Sequence, residues 1–323
     1  MIRRSCLLLI LGGAISFAQD TFPEAPKIVA VGDVHGDYDQ FVTVLRDAGV
    51  IDSANKWAGG KTHLVQTGDV LDRGPHSRKA MDLLMELENQ ARKASGRVHA
   101  LLGNHEAMNV YGDLRYVSAG EYKAFETSKS RDAREKAMKA SLPEGAKIDD
   151  AYRTKWEAEH PLGWVEHRLA YGPEGEYGRW VRKKNAVLKI GDTLFLHGGI
   201  GPKYASTPLK EINGKIRSEL QDFQKLEGGI AMDPEGPLWY RGLAQDSEAQ
   251  LAAHVDQVLA VHGVRRIVIG HTVGPAIRSR FGGKVLLIDV GLSSVFGGPA
   301  ACLVLEGGQP RAMHRGKLAE LAQ

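Results

Sequence analysis

The chain has 323 residues, 43% hydrophobic and 25% charged, with a formal net charge of +3. These proportions suit a soluble globular protein with a core large enough to hold without disulfide staples. No Lys/Arg run interleaved with aromatic residues occurs, which argues against a groove for nucleic acid.

Residues 1–18 read as a removable export signal. Arg3 and Arg4 give a positive start, residues 5–14 are apolar but too few for a stable span, and Ser16 and Ala18 are small residues ahead of a cleavage before Gln19. The arginine pair also suits twin-arginine export, which carries folded proteins. Losing this segment lowers the formal charge from +3 to +1 and removes Cys6, leaving Cys302 alone. An intrachain disulfide and a thiolate metal cage are then excluded. No later apolar run reaches membrane-spanning length. The expected product, residues 19–323, is a soluble periplasmic or secreted domain without a membrane anchor.

In chain order, Lys27-Ile28-Val29-Ala30-Val31 is a β-branched run that stops at Gly32-Asp33, as a buried strand would. Residues 39–48 follow as a helix, with Phe41, Val44 and Leu45 at i, i+3 and i+4. Residues 63–67 form the next strand and stop at Gly68-Asp69. Residues 77–94 are a helix whose Ala80, Leu83, Leu84, Leu87 and Ala91 share one face. A third strand, 97–102, stops at Gly103-Asn104. This alternation is that of a sheet covered by helices. Residues 186–190 and 193–196 then read as a hairpin with Asp192 in its turn, and His197 follows directly. Residues 266–269 stop at Gly270-His271, and 285–288 and 301–305 are later strands. The expected fold is α/β, with two mixed β-sheets packed face to face and helices outside.

Residues 107–185 fit neither pattern. Charges of both signs run at helical spacing through 121–139, and Pro143-Glu144-Gly145 breaks them. Trp156, Trp164 and Trp180 follow, with a glycine-rich stretch at 172–178. The segment reads as a helical insertion or cap on the site side of the sandwich, and a solvated decoration is the plainer alternative.

Five blocks stand where apolar runs end, each with its own glycine: Gly32-Asp33-Val34-His35-Gly36, Gly68-Asp69-Val70-Leu71-Asp72-Arg73-Gly74, Gly103-Asn104-His105-Glu106, His197-Gly198-Gly199 and Gly270-His271-Thr272. Loops at the carboxyl ends of strands converge on one crevice, so distant ligands can meet there. Oxygen and imidazole donors without thiolate suit Mn²⁺, Fe or Zn²⁺.

In these blocks the chain resembles the calcineurin-like metallophosphoesterases, and within them the phosphoprotein phosphatase branch. Tyr111-Gly112-Asp113-Leu114-Arg115-Tyr116-Val117 and Pro237-Leu238-Trp239-Tyr240-Arg241-Gly242 are similar to the Shewanella-like protein phosphatases. The likeness covers roughly residues 26 to 306 and implies the same two-sheet sandwich. It implies two metal ions, one held by Asp33 and His35 and the other by Asn104, His197 and His271, with Asp69 between them. A hydroxide bridging the ions would attack phosphorus in line. His105 would protonate the leaving oxygen, oriented by Asp72, while Arg73, Arg241 and Asn104 would meet the phosphate oxygens.

The resemblance thus implies a phosphatase for phosphotyrosine or phosphoserine/threonine in a phosphoprotein or phosphopeptide. Small phosphates or dinucleoside polyphosphates are the alternative substrates, and a metal-stabilised binding module without turnover is the non-enzymatic reading. Leu238-Trp239-Tyr240-Arg241 replaces the Leu-Trp-Ser-Asp of the eukaryotic phosphatases, which removes the basis for transferring their Ser/Thr preference. The remaining histidines, His63, His76, His99, His160, His167, His254, His262 and His314, read as structural or surface residues.

Overall fold

The computed structural model describes residues 19–322, and the expected export signal lies outside them. The chain begins with β1 (Thr21–Phe22), β2 (Lys27–Val31), α1 (Tyr38–Asp47), β3 (His63–Gln66), α2 (Ser77–Lys93), β4 (Arg97–Ala100) and α3 (Asn104–Tyr111). Five helices follow: α4 (Ala119–Ala124), α5 (Ser130–Ala140), α6 (Asp150–Glu159), α7 (Trp164–Tyr171) and α8 (Glu176–Val181). The second half runs β5 (Val187–Ile190), β6 (Thr193–Leu196), α9 (Leu209–Gln221), α10 (Gly242–Gln245), α11 (Glu248–His262) and β7 (Arg266–Ile269). It closes with β8 (Arg278–Arg280), β9 (Val285–Leu287), β10 (Ala301–Glu306), β11 (Gln309–His314) and β12 (Lys317–Ala319).

Two six-stranded sheets result, in the orders β1-β5-β6-β7-β9-β8 and β12-β11-β10-β2-β3-β4. Both are mixed. In one, β6, β7 and β9 run parallel, β5 is parallel to β1 and antiparallel to β6, and β8 is antiparallel to β9. In the other, β2, β3 and β4 run parallel and β10 is antiparallel to β2. The expected sandwich is therefore the observed fold. Its central parallel strands β2 and β7 are apolar runs because both of their faces are covered: Val29, Ala30, Val31, Ile267, Val268 and Ile269 are all fully buried.

Helices cover the sheets as their spacing predicts. In α2 the buried residues Ala80, Leu83, Leu84, Leu87 and Ala91 form one stripe, and the helix packs on β4. The Asp37 carboxylate caps α1 by accepting the Gln40 N–H. Cys302 is buried on β10 as a free thiol, pushed up to about 12 by burial.

The expected insertion differs in where it begins. Helix α3 runs through residue 107 without a break and ends at Gly112, in the left-handed region, so the extra segment starts after it. Helices α4, α7 and α8 lie beside α2 and α3, and α5 packs on α7 and pairs with α6. Tyr177 donates to Asp82 and Trp180 to Glu88, both on α2. The cause is a small aromatic core of their own, in which Tyr122, Phe125 and Tyr171 surround the buried His167. From this segment, Asp113, Arg115 and Tyr116 reach the site cleft.

Candidate active site

Every candidate ligand sits just past the carboxyl end of a strand: Asp33 and His35 after β2, Asp69 after β3, Asn104 after β4, His197 after β6 and His271 after β7. The parallel strands of both sheets aim these ends at one cleft of about 670 Å³. Glycines make the approach possible. A Cβ on Gly103 would lie 2.1 Å from Asp69 Oδ1, and one on Gly68, at φ 101°, would lie 2.4 Å from the Gly103 nitrogen. Five side-chain-bearing residues are also left-handed here: His35 (φ 44°), Asp69 (57°), Asp72 (70°), Arg73 (66°) and His271 (66°).

Each imidazole is fixed by one ring nitrogen, which frees the other. His35 Nδ1 donates to the Leu71 carbonyl at 3.0 Å, His197 Nδ1 to the Thr67 carbonyl at 3.0 Å, and His271 Nε2 to the Trp239 carbonyl at 3.2 Å. The free His197 Nε2 then lies 3.2 Å from Asp69 Oδ2 and 3.0 Å from Asn104 Oδ1. His35 Nε2 is 3.8 Å from both Asp33 Oδ2 and Asp69 Oδ2. Asp69 Oδ1, by contrast, accepts the His105 backbone N–H at 3.0 Å. One carboxylate thus faces imidazoles on two sides.

The electrostatics suit cations. Burial lowers His35 to about 4, and burial with the neighbouring His197 lowers His271 to about 2, so both rings are neutral and offer lone pairs at neutral pH. Burial pushes Asp69 up, but His197 and His105 outweigh it and hold the carboxyl well below its ordinary value. Asp33 is raised by burial and by the charges of Asp289 and Asp69. Two groups, His35-Asp69-His105 and Asp69-His197-His271, have donor atoms within 4.8 Å of one another and share Asp69. This set of carboxylate and imidazole donors, without thiolate, fits divalent ions.

His105 belongs to the first of these groups, although its other nitrogen is engaged elsewhere. Its Nδ1 donates to Asp72 Oδ2 at 2.6 Å, leaving Nε2 in the cleft 3.7 Å from Asp69 Oδ2. Burial opposes its charged form, but Asp69 and the hydrogen bond to Asp72 prevail and raise its pKa. The Arg73 guanidinium lies 4.5 Å from the Tyr116 ring centroid and 5.3 Å from that of Phe296, and its buried Nε has no protein partner. Arg241 also lines the cleft, yet donates to the His271 carbonyl at 2.6 Å and to Thr272 at 3.1 Å. Asp113 and Arg115 pair with each other on the rim.

Three site residues have roles that the sequence does not declare. Glu106 gathers the backbone N–H groups of Gly103, Asp69 and Val70. Asn109 donates to Asp72. Asp289, past β9, lines the cleft beside Asp33 with one buried oxygen unpartnered. Glu106 closes the Gly103-Asn104-His105-Glu106 block, and Ile288-Asp289-Val290-Gly291 repeats the strand–acid–glycine ending of the ligand blocks.

The calcineurin-like phosphoesterase family model matches residues 26–275. An uncharacterised protein of Schizosaccharomyces pombe is 36% identical over 313 residues, covering 92% of this chain and 83% of that one. Shewanella-like protein phosphatase 2 of Arabidopsis thaliana is 30% identical over 287 residues, covering 85% and 73%. The crystal structure of a cold-active protein-tyrosine phosphatase from a psychrophilic Shewanella species superposes with a TM-score of 0.73 at 31% identity, covering 94% and 83%. Family, fold and donor set agree on a metal-dependent phosphatase: the chain belongs to the calcineurin-like metallophosphoesterases, among relatives of the Shewanella-like protein phosphatases.

Proposed function

We propose that the chain is a two-metal phosphoprotein phosphatase for phosphomonoesters, with phosphotyrosine its preferred residue. Asp33 and His35 would hold one ion, Asn104, His197 and His271 the other, and Asp69 both. Mn, Fe or Zn is compatible with these donors. When bound, such a pair activates water near neutral pH and offsets the charge of the phosphoryl group. Arg73, Arg241 and Asn104 would bind the phosphate oxygens. His105 Nε2, held toward the cleft by Asp72, would deliver a proton to the departing oxygen.

The observation that carries the tyrosine preference is the pair Tyr116 and Phe296. Both lie against the Arg73 guanidinium and remain 37% and 40% exposed, so a phenyl ring attached to a phosphate on Arg73 would have aromatic surface beside it. A relative of known structure is itself a protein-tyrosine phosphatase. Phosphate release by the Mn²⁺-loaded protein from matched phosphotyrosine, phosphoserine and phosphothreonine peptides tests the reading, with a dinucleoside polyphosphate alongside. Faster turnover of phosphotyrosine supports it; equal peptide rates remove the preference, and turnover of the dinucleotide alone replaces the protein substrate.

Residues 1–18 would direct this activity to the periplasm or outside the cell. Intact mass of the protein recovered from the periplasm, beginning at Gln19, is the expected result; retention of residues 1–18 on cytoplasmic protein would refute it.

A further inference from the structure

A histidine that delivers a proton must be aimed, and the carboxylate that aims His105 is itself held. Asp72 is fully buried, with Oδ2 on His105 Nδ1 at 2.6 Å. Its other oxygen, Oδ1, accepts Asn109 Nδ2 at 2.9 Å. The same amide nitrogen donates to the His105 carbonyl at 3.0 Å, one helical turn back along α3. Both partners can only accept, so the amide cannot turn over without setting its oxygen against them. The chain tolerates a cost to keep this orientation, because Asn109 Oδ1 is buried without a partner.

The segment after α3 grips this arrangement from two directions. Arg168, on α7, donates to the Asn109 carbonyl at 2.6 Å, near the carboxyl end of the helix whose first turn carries Asn104 and His105. A guanidinium there satisfies an end carbonyl and complements the helix dipole. On the opposite side, Ser77 Oγ accepts the Asp72 N–H at 3.1 Å and donates to Glu121 of α4 at 2.8 Å. Glu121 in turn faces His167 Nε2 at 3.6 Å, and both are fully buried.

We propose that Asn109 is a positioning residue for the His105–Asp72 pair, and that helices α4 and α7 set its geometry through Arg168 and Glu121. Helices α4 and α7 then act on proton delivery. This rests on the acid role given to His105 above. An amide that fixes Asp72 Oδ1 leaves Oδ2 one direction in which to hold the imidazole, so Nε2 points into the cleft before substrate arrives.

The test uses Mn²⁺-loaded full-length mature protein and two substrates differing only in the leaving group, para-nitrophenyl phosphate and phenyl phosphate. The variants are Asn109→Leu, Arg168→Met, His105→Asn and the double variant His105→Asn/Asn109→Leu, with metal content measured for each. Asn109→Leu should slow phenyl phosphate roughly 10-fold or more beyond its effect on the nitrophenyl ester. Arg168→Met should show the same bias more weakly, and the double variant should be no slower than His105→Asn. Equal losses on both esters, or losses that add to those of His105→Asn, would overturn the positioning role. If Asn109→Leu does not fold, Arg168→Met decides alone: a selective loss supports the link and an unselective one refutes it. A His105→Asn variant without leaving-group bias would refute the acid role itself, a failure distinct from the others.

Discussion

Glu106 accepts the backbone N–H of Asp69 at 2.8 Å, although the two residues belong to separate motifs. The same carboxylate accepts Val70 and Gly103 N–H groups at 2.9 and 2.8 Å, so it fastens the left-handed turn at Asp69 to the start of α3. Glu106→Gln keeps the shape but turns an amide donor toward backbone donors. A stability loss of about 1–3 kcal/mol is expected for each N–H left unpaired, together with reduced metal content. Thermal unfolding and elemental analysis would check both, and an unchanged melting temperature would refute the fastening role.

His105→Asn should cost about 10²–10⁴-fold on an alkyl phosphate, the usual range for a general acid. An activated aryl phosphate should lose far less, because its oxygen leaves without a proton. Steady-state rates on the two substrates give the comparison. Similar losses would remove His105 from proton delivery and favour a ligand role, which its place beside His35 and Asp69 also permits.

Arg73→Lys keeps the positive charge but loses the planar fork and its packing against Tyr116 and Phe296. Hydrogen bonds to charged groups are worth about 1.5–3 kcal/mol, so KM for a phosphopeptide should rise about 10-fold or more. The check is a KM and kcat measurement with metal content held equal. An unchanged KM would show that Arg73 does not hold substrate.

His63 and His99 set a pH dependence away from the cleft. Burial and Arg97 lower His63 to about 4; burial, His63, Arg97 and Lys184 lower His99 to about 3. Unfolded histidine protonates near ~6.5, so the unfolded chain takes up protons that the folded chain refuses. Their contribution to stability is therefore complete above ~6.5 and is lost as pH falls toward the folded values. Melting temperatures should drop between about pH 7.5 and about pH 5, and His99→Gln should flatten that drop. A parallel fall in both proteins would count against the assignment.

Much of this molecule is legible from its sequence because the decisive signals are local. Lys27–Val31 and Arg266–Ile269 are apolar runs stopped by glycine, and the ligands stand at the stops. Asn109 is not legible, since an asparagine inside a helix declares nothing until Asp72, 37 positions earlier, is beside it. The surface against which the extra helices pack is not legible for a related reason. Arg153–Glu135 and Arg134–Glu157 join α5 and α6 by ion pairs, and charged residues at helical spacing do not say which surface they will lie against. The role of Arg241 is likewise divided, since one guanidinium nitrogen supports the His271 turn that brings a ligand into place.

The five left-handed residues at the cleft bear on how such a chain would change under selection. A left-handed conformation costs a side-chain-bearing residue about 1–2 kcal/mol, and His35, Asp69, Asp72, Arg73 and His271 all carry that burden. Glycine at any of them would relieve the backbone and remove a group from the site. Backbone relief and chemistry therefore conflict at each of these positions, whereas at Asn55 and Ser95, left-handed but outside the cleft, a glycine would ease the backbone at no cost to the site.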